Sequence, residues 1–71
     1  MEKGWENIYN TSDEYLSSMA KDILLESGIE SVVINHKDSA YVFWGEYEIF
    51  VRDEVKEEAT KIIEQIKKGR N

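Results

Sequence analysis

The sequence predicts a small α+β fold of β-α-β-β-α order, and three observations carry that expectation. Tyr41, Phe43, Gly45, Tyr47, Ile49 and Val51 occupy every odd position of one stretch, the period-two pattern of a half-buried strand. Two amphipathic segments, about 12–27 and from about Asp53 onward, repeat apolar residues at helical spacing. The arrangement predicts a three-stranded antiparallel sheet in order 1-3-2 with both helices on one face. It is a split βαβ sandwich, ferredoxin-like but lacking the last strand.

Glu6 to Asn10 reads as the first strand, with Ile8 on one face and Trp5, Asn7 and Tyr9 on the other. Thr11-Ser12-Asp13-Glu14 matches a capping box with Thr11 as the cap. Leu16, Met19, Ala20, Ile23 and Leu24 then share one helix face, and Gly28 followed by Ile29 fits a Schellman ending against Leu24. Glu30 to Asn35, centred on Val32-Val33-Ile34, suits a strand covered on both sides. His36-Lys37-Asp38-Ser39 reads as a polar turn.

In the long strand the odd residues should face the helices, with Ile49 near Ile23 and Ile62. The even side is polar at Glu46, Glu48 and Arg52 but apolar at Val42, Trp44 and Phe50. Gly45 reads as a bend, the alternative being a tight hairpin at Gly45-Glu46. Val55, Ala59, Ile62, Ile63 and Ile66 form the second helical face. Glu54, Glu57 and Glu58 at its start and Lys67, Lys68 and Arg70 at its end complement the helix dipole. Glu57–Lys61 and Glu64–Lys68 are spaced as i,i+4 pairs, and Gly69 marks a stop.

Seventy-one residues read as one domain, 1–71, and a chain this short buries only about 60% of the surface its unfolded form exposes. With no Cys there is neither a disulfide nor a thiolate metal site, and the packing of apolar side chains must supply stability. The net charge of −6 disfavours nucleic acid and anionic membrane as partners. The apolar runs are too short for a membrane span or signal peptide, so the expected compartment is the cytoplasm. On that view Asn10-Thr11-Ser12, a match to the glycosylation acceptor pattern, is coincidental.

Several stretches resemble a known family. They are Trp5-Glu6-Asn7-Ile8-Tyr9-Asn10-Thr11, Leu24-Leu25-Glu26-Ser27-Gly28-Ile29, Val32-Val33-Ile34-Asn35, and Gly45-Glu46-Tyr47-Glu48-Ile49-Phe50-Val51 before an acidic helix. Together, over roughly residues 5–66, they are similar to the small bacterial domains described as "putative prokaryotic signal-transducing proteins". That family often carries a Pro at the start of the second helix, where this chain has Arg52. The resemblance implies a βαββα domain loosely similar to PII-type regulators. It carries over no functional residues.

Chemistry-bearing candidates are few. His36, the only His, shares one turn with Asp38 and Ser39, and sequence neighbours seldom reach the geometry of a catalytic triad. It is expected to be a solvated turn residue, dispensable for folding. Asp53, Glu54, Glu57 and Glu58 read as ordinary charge bias at a helix start rather than a cation site. The expectation is therefore a protein without catalytic residues, metal or cofactor, and not an enzyme.

The aromatic residues are the feature that competes for a function. Trp5, Tyr9, Val42, Trp44 and Phe50 make up the candidate interaction surface, on a sheet face that no helix covers. For Trp44 and Phe50 the alternatives are mutual packing under the N-terminal tail, or a loop folded back from Tyr41 to Trp44. Two functional readings follow. In the first, a non-enzymatic interaction or regulatory module, self-associating or binding another protein, works through the sheet face or the first-strand edge. In the second, a PII-like small-molecule sensor has its pocket at the 36–46 loop or at a dimer seam.

Overall fold

The computed structural model describes residues 3–36 and 46–69. Strand β1 spans Trp5–Thr11, helix α1 Glu14–Glu26, β2 Ser31–Asn35 and β3 Tyr47–Arg52; a 3₁₀ turn over Asp53–Val55 then leads into α2, Lys56–Lys68. The sheet is antiparallel throughout, in order β1-β3-β2. The fold is the α+β arrangement the sequence predicts. Positions 41–45 of the long strand, with Val42 and Trp44 of the candidate surface, lie outside the described residues, as does the turn at Lys37-Asp38-Ser39.

On β3 the parity of the sequence holds. Tyr47, Ile49 and Val51 are buried, whereas Glu48 and Phe50 are half-buried and Arg52 is exposed. Ile49 and Val51 meet Ala20 and Leu24 of α1 and Ala59 and Ile63 of α2 in one core, joined by Ile29. Ile49 packs in the cluster of Leu24 and Ile63; Ile23 and Ile62, expected beside it, are only half-buried. The buried line of α1 is Ser17, Ala20 and Leu24, rotated from the expected stripe. At Ser17 the rotation costs nothing polar, because its hydroxyl donates to the Glu14 carbonyl at 2.9 Å.

Helix α1 starts two residues later than the capping-box reading required. Asp13, not Thr11, is the cap: its Oδ1 accepts from the Tyr15 N–H at 2.9 Å and the Leu16 N–H at 3.4 Å. Thr11 cannot serve because it is still in β1, opposite Tyr47. Its hydroxyl oxygen instead accepts from the Asp13 N–H at 3.1 Å, holding the turn into the helix. The C-terminus closes as the sequence predicts. Gly28 (φ +81°) takes the left-handed position. The Ile29 N–H donates to Leu24 O and the Gly28 N–H to Leu25 O, both at 2.9 Å, which is the Schellman pairing.

The start of α2 also differs. The chain enters through the 3₁₀ turn, tied to the first strand by the Asp53 N–H donating to Gly4 O at 2.9 Å. Among the described residues the ion pairs are Lys56–Glu6 and His36–Glu48; the expected Glu57–Lys61 and Glu64–Lys68 pairs do not close. Exposed pairs of that kind gain only a few tenths of a kcal/mol against the entropy of two long side chains. Among the described residues no helix is long and apolar enough to cross a membrane.

Candidate functional site

The geometry of the helix-free face begins with an irregularity in β1. Asn7 pairs with Phe50 and Tyr9 with Ile49, leaving Ile8 as an extra residue. This bulge shifts the phase of the strand by one. Trp5 and Asn7 share the face of Arg52 and Phe50, whereas Ile8 and Tyr9 both turn to the helix side and pack against the core. The expectation that Tyr9 lies on the face of Trp5 and Asn7 is thereby corrected, and Tyr9 leaves the candidate surface. Its ring instead carries the Lys67 ammonium of α2, 5.6 Å from the ring centre.

The Asn7 side chain fills the gap that the bulge opens. Its Nδ2 lies 2.9 Å from Asn10 Oδ1, 3.2 Å from Ile49 O and 3.4 Å from Tyr9 O. A side-chain donor thus reaches a β3 carbonyl beside the bulge, where the regular ladder is interrupted. The signal in the sequence was the adjacent apolar pair Ile8-Tyr9 between two Asn residues.

From the registers, residues directly opposite share a face. Phe50 therefore stands between Asn7 and Val32, and Glu48 between Asn10 and Ile34. Trp5, Phe50, Val32 and Ile34 form an apolar strip across all three strands, each residue half-buried. Among the described residues, strand β2 is covered by the helices on the Val33 side, and no helix lies against Val32 and Ile34. The sequence reading missed Val32 and Ile34 as face residues because a run of three β-branched residues does not reveal which side is bare.

Charge is distributed unevenly along this strip. At one end the Arg52 guanidinium stacks on Trp5, 4.7 Å from the ring centre. At the other, Glu48 Oε1 lies 2.9 Å from His36 Nε2, with Glu46 beside it. The His36 backbone belongs to the sheet, not to a turn: its N–H donates to Glu46 O at 2.6 Å, extending the β2–β3 ladder by one step. The ring is half-exposed, and this pair is too open to the solvent to be worth much.

Elsewhere, a groove between the helices is lined by Tyr15, Met19, Ile23, Gln65 and Ile66. Tyr47, on the core side of the sheet, has its hydroxyl pKa pushed above the ordinary 10.0 by burial and then by the Glu14 and Glu46 carboxylates. Among the described residues no three His, Asp or Glu side chains gather to hold a metal ion. The acidic residues Asp53, Glu54, Glu57 and Glu58 accordingly form no such group. The pocket expected at the 36–46 loop falls mostly on residues outside those described.

The sequence profile of the family described as "Putative prokaryotic signal transducing protein" matches residues 5–67. Neither any curated protein nor any solved structure matches the chain significantly. The matched span runs from the first residue of β1 to the last but one of α2 and takes in all of the described helix-free face, and the chain belongs to this family.

Proposed function

We propose that this member of a family named for signal transduction is a non-enzymatic interaction module of the cytoplasm, and that its working surface is the helix-free face of the sheet. The observation that supports the reading is the strip of Trp5, Phe50, Val32 and Ile34, with Arg52 at one end and the His36–Glu48 pair at the other. An apolar centre with a charged rim is the usual anatomy of a protein–protein contact, and aromatic residues are its commonest anchors. The first-strand edge is the weaker candidate, because a bulge disturbs the register that an added strand would need. Neither substrate nor cofactor is part of this reading. Its role is to present or withhold a surface.

The test is capture from a cell extract of the source organism by the tagged wild type, a Phe50→Asp variant and a Tyr15→Ala variant. Tyr15 is exposed on the helix side and serves as the control. The expected result is a defined set of proteins retained by the wild type and by Tyr15→Ala and lost with Phe50→Asp. Identical capture by all three folded proteins would remove the face from any interaction role.

A further inference from the structure

We infer that the helix-free face docks on the same face of a second copy of the chain, about a two-fold axis that crosses the strands at Phe50; this deepens the preceding reading and rests on it. The argument is one of symmetry and charge. Arg52, Phe50 and Glu48 lie on one side of β3 at alternate positions, so the two charges sit about 7 Å either side of Phe50. A two-fold axis lying between the stacked sheets and across the strands reverses β3 while keeping Phe50 over Phe50. The same operation brings each Arg52 over the partner copy's Glu48 end. Both charged ends of the strip are then matched by one operation, as a self-complementary contact requires. An axis along the strands would instead set Arg52 near its own copy and Glu48 near its own.

The residues are free to make that contact. Among the described residues Arg52 has no carboxylate partner; its guanidinium lies over the Trp5 ring, 4.7 Å from the ring centre, a contact that takes up none of its N–H donors in an ion pair. Glu48 is held by His36 through Oε1, and a carboxylate has further acceptor sites on its second oxygen. Val32 of β2, level with Phe50, would lie over its own equivalent, and each Ile34 would lie beyond the partner copy's Val32 toward the start of that strand, extending the apolar layer between sheets packed face to face. Trp5, stacked beneath Arg52, would border this layer at each end. General repulsion works against such a dimer, because each copy carries a net charge of −6. This opposition lets the local pairing be told apart from overall charge.

Sedimentation equilibrium over a concentration series, on wild type, Arg52→Glu, Glu48→Arg and the double exchange, makes the test. The wild type is expected to pass from 8.3 kDa toward twice that mass as its concentration rises through the micromolar range. Each single reversal should raise the dissociation constant about tenfold or more, since like charges would then meet at both ends. The double exchange restores opposite charges at unchanged net charge and should return to within about threefold of wild type. Glu48→Arg is the decisive single variant: it makes the chain less negative, so it would tighten a dimer governed by net charge alone. Should a reversal fail to fold by near-UV circular dichroism, Arg52→Gln and Glu48→Gln take its place, each expected to weaken the dimer about threefold.

A wild type that stays at 8.3 kDa at high micromolar concentration would overturn the inference. So would Glu48→Arg binding more tightly than wild type, or a double exchange as weak as the singles. A monomeric wild type whose protein capture is nonetheless lost with Phe50→Asp rejects self-docking and leaves the interaction module standing.

Discussion

Replacing Ile49 and Phe50 by Ala in turn separates the two faces of β3, because the residues are neighbours in the chain but opposite in environment. Ile49 is 0% exposed, in one cluster with Leu24 and Ile63. Its truncation deletes three buried carbons at about 0.8 kcal/mol each, and the cavity left behind adds to that transfer loss. The expected cost is about 3–4 kcal/mol, within the range seen for such changes. A domain of this length has a total stability of only about 4–10 kcal/mol, so the variant should lose a third of it or more. Phe50 is half-buried on the bare face, and its removal from an isolated protomer should cost about 1 kcal/mol. Urea melts with linear extrapolation give both values. They should be run at low concentration, so that any dimer is dissociated and does not add to apparent stability. If Phe50→Ala destabilises the dilute protein as much as Ile49→Ala does, the face is part of the protomer's own core. The interaction reading would then lose its anchor.

Four further outcomes are expected. Asp13→Ala should cost about 1 kcal/mol through the lost cap, and Thr11→Ala clearly less, in the same urea melts. Gly28→Ala should cost about 1–2 kcal/mol; a Cβ there meets nothing within 4 Å, so the penalty is the left-handed backbone alone. A double-mutant cycle on His36 and Glu48 should give a coupling below about 1 kcal/mol, and a value of several kcal/mol would show that the pair is not the half-open contact described above. For Tyr47 the raised pKa means that the fold favours the neutral phenol. Its contribution is therefore fully present below the unfolded-state pKa of about 10 and is lost as pH rises beyond it. Tyrosinate absorbance titrations of wild type and Tyr47→Phe check this: the difference between them should be a phenol that ionises above the ordinary 10.0, and a difference at or below that value would refute the shift.

What the sequence disclosed depended on how local each cause was. The Schellman ending needs only Gly28 and Ile29 at the right spacing from Leu24, and it was legible. The parity of 47–52 was legible because one side of β3 is buried, and a slip of one residue would expose all of Ile49, Val51 and Tyr47. The cap was misplaced because Thr11, Ser12 and Asp13 are all competent caps. The choice was made by where β1 ends, a matter of its pairing with β3. The Ile8 bulge and the His36 pairing were hidden for the same reason: both are set by partners on β3, far along the chain. Of the five candidate surface residues, Trp5 and Phe50 share the bare face and Tyr9 was turned away by the bulge; Val42 and Trp44 lie outside the described residues.

The bulge bears on more than the placement of Tyr9. In the order β1-β3-β2 the outer strands of the described sheet are β1 and β2, and the edge of an outer strand is the place where an extended chain can add. On β1 that invitation is blunted three times. Ile8 breaks the register, Asn7 spends its amide on the backbone at the break, and α2 sends Lys56 to Glu6 and Lys67 to the Tyr9 ring. Lysines and bulges are the devices by which sheet edges are kept from uncontrolled addition. Strand β2 is itself only five residues long, too short for extensive pairing. The bare face has no comparable guard. Arg52 lies over the Trp5 ring at the end of the strip, 4.7 Å from its centre, and leaves Phe50 and Val32 uninterrupted. On the proposed reading, a guarded β1 edge and a face where Phe50, Val32 and Ile34 stay only half-buried belong together: the edge is closed to strand addition, and the face is what remains for a partner.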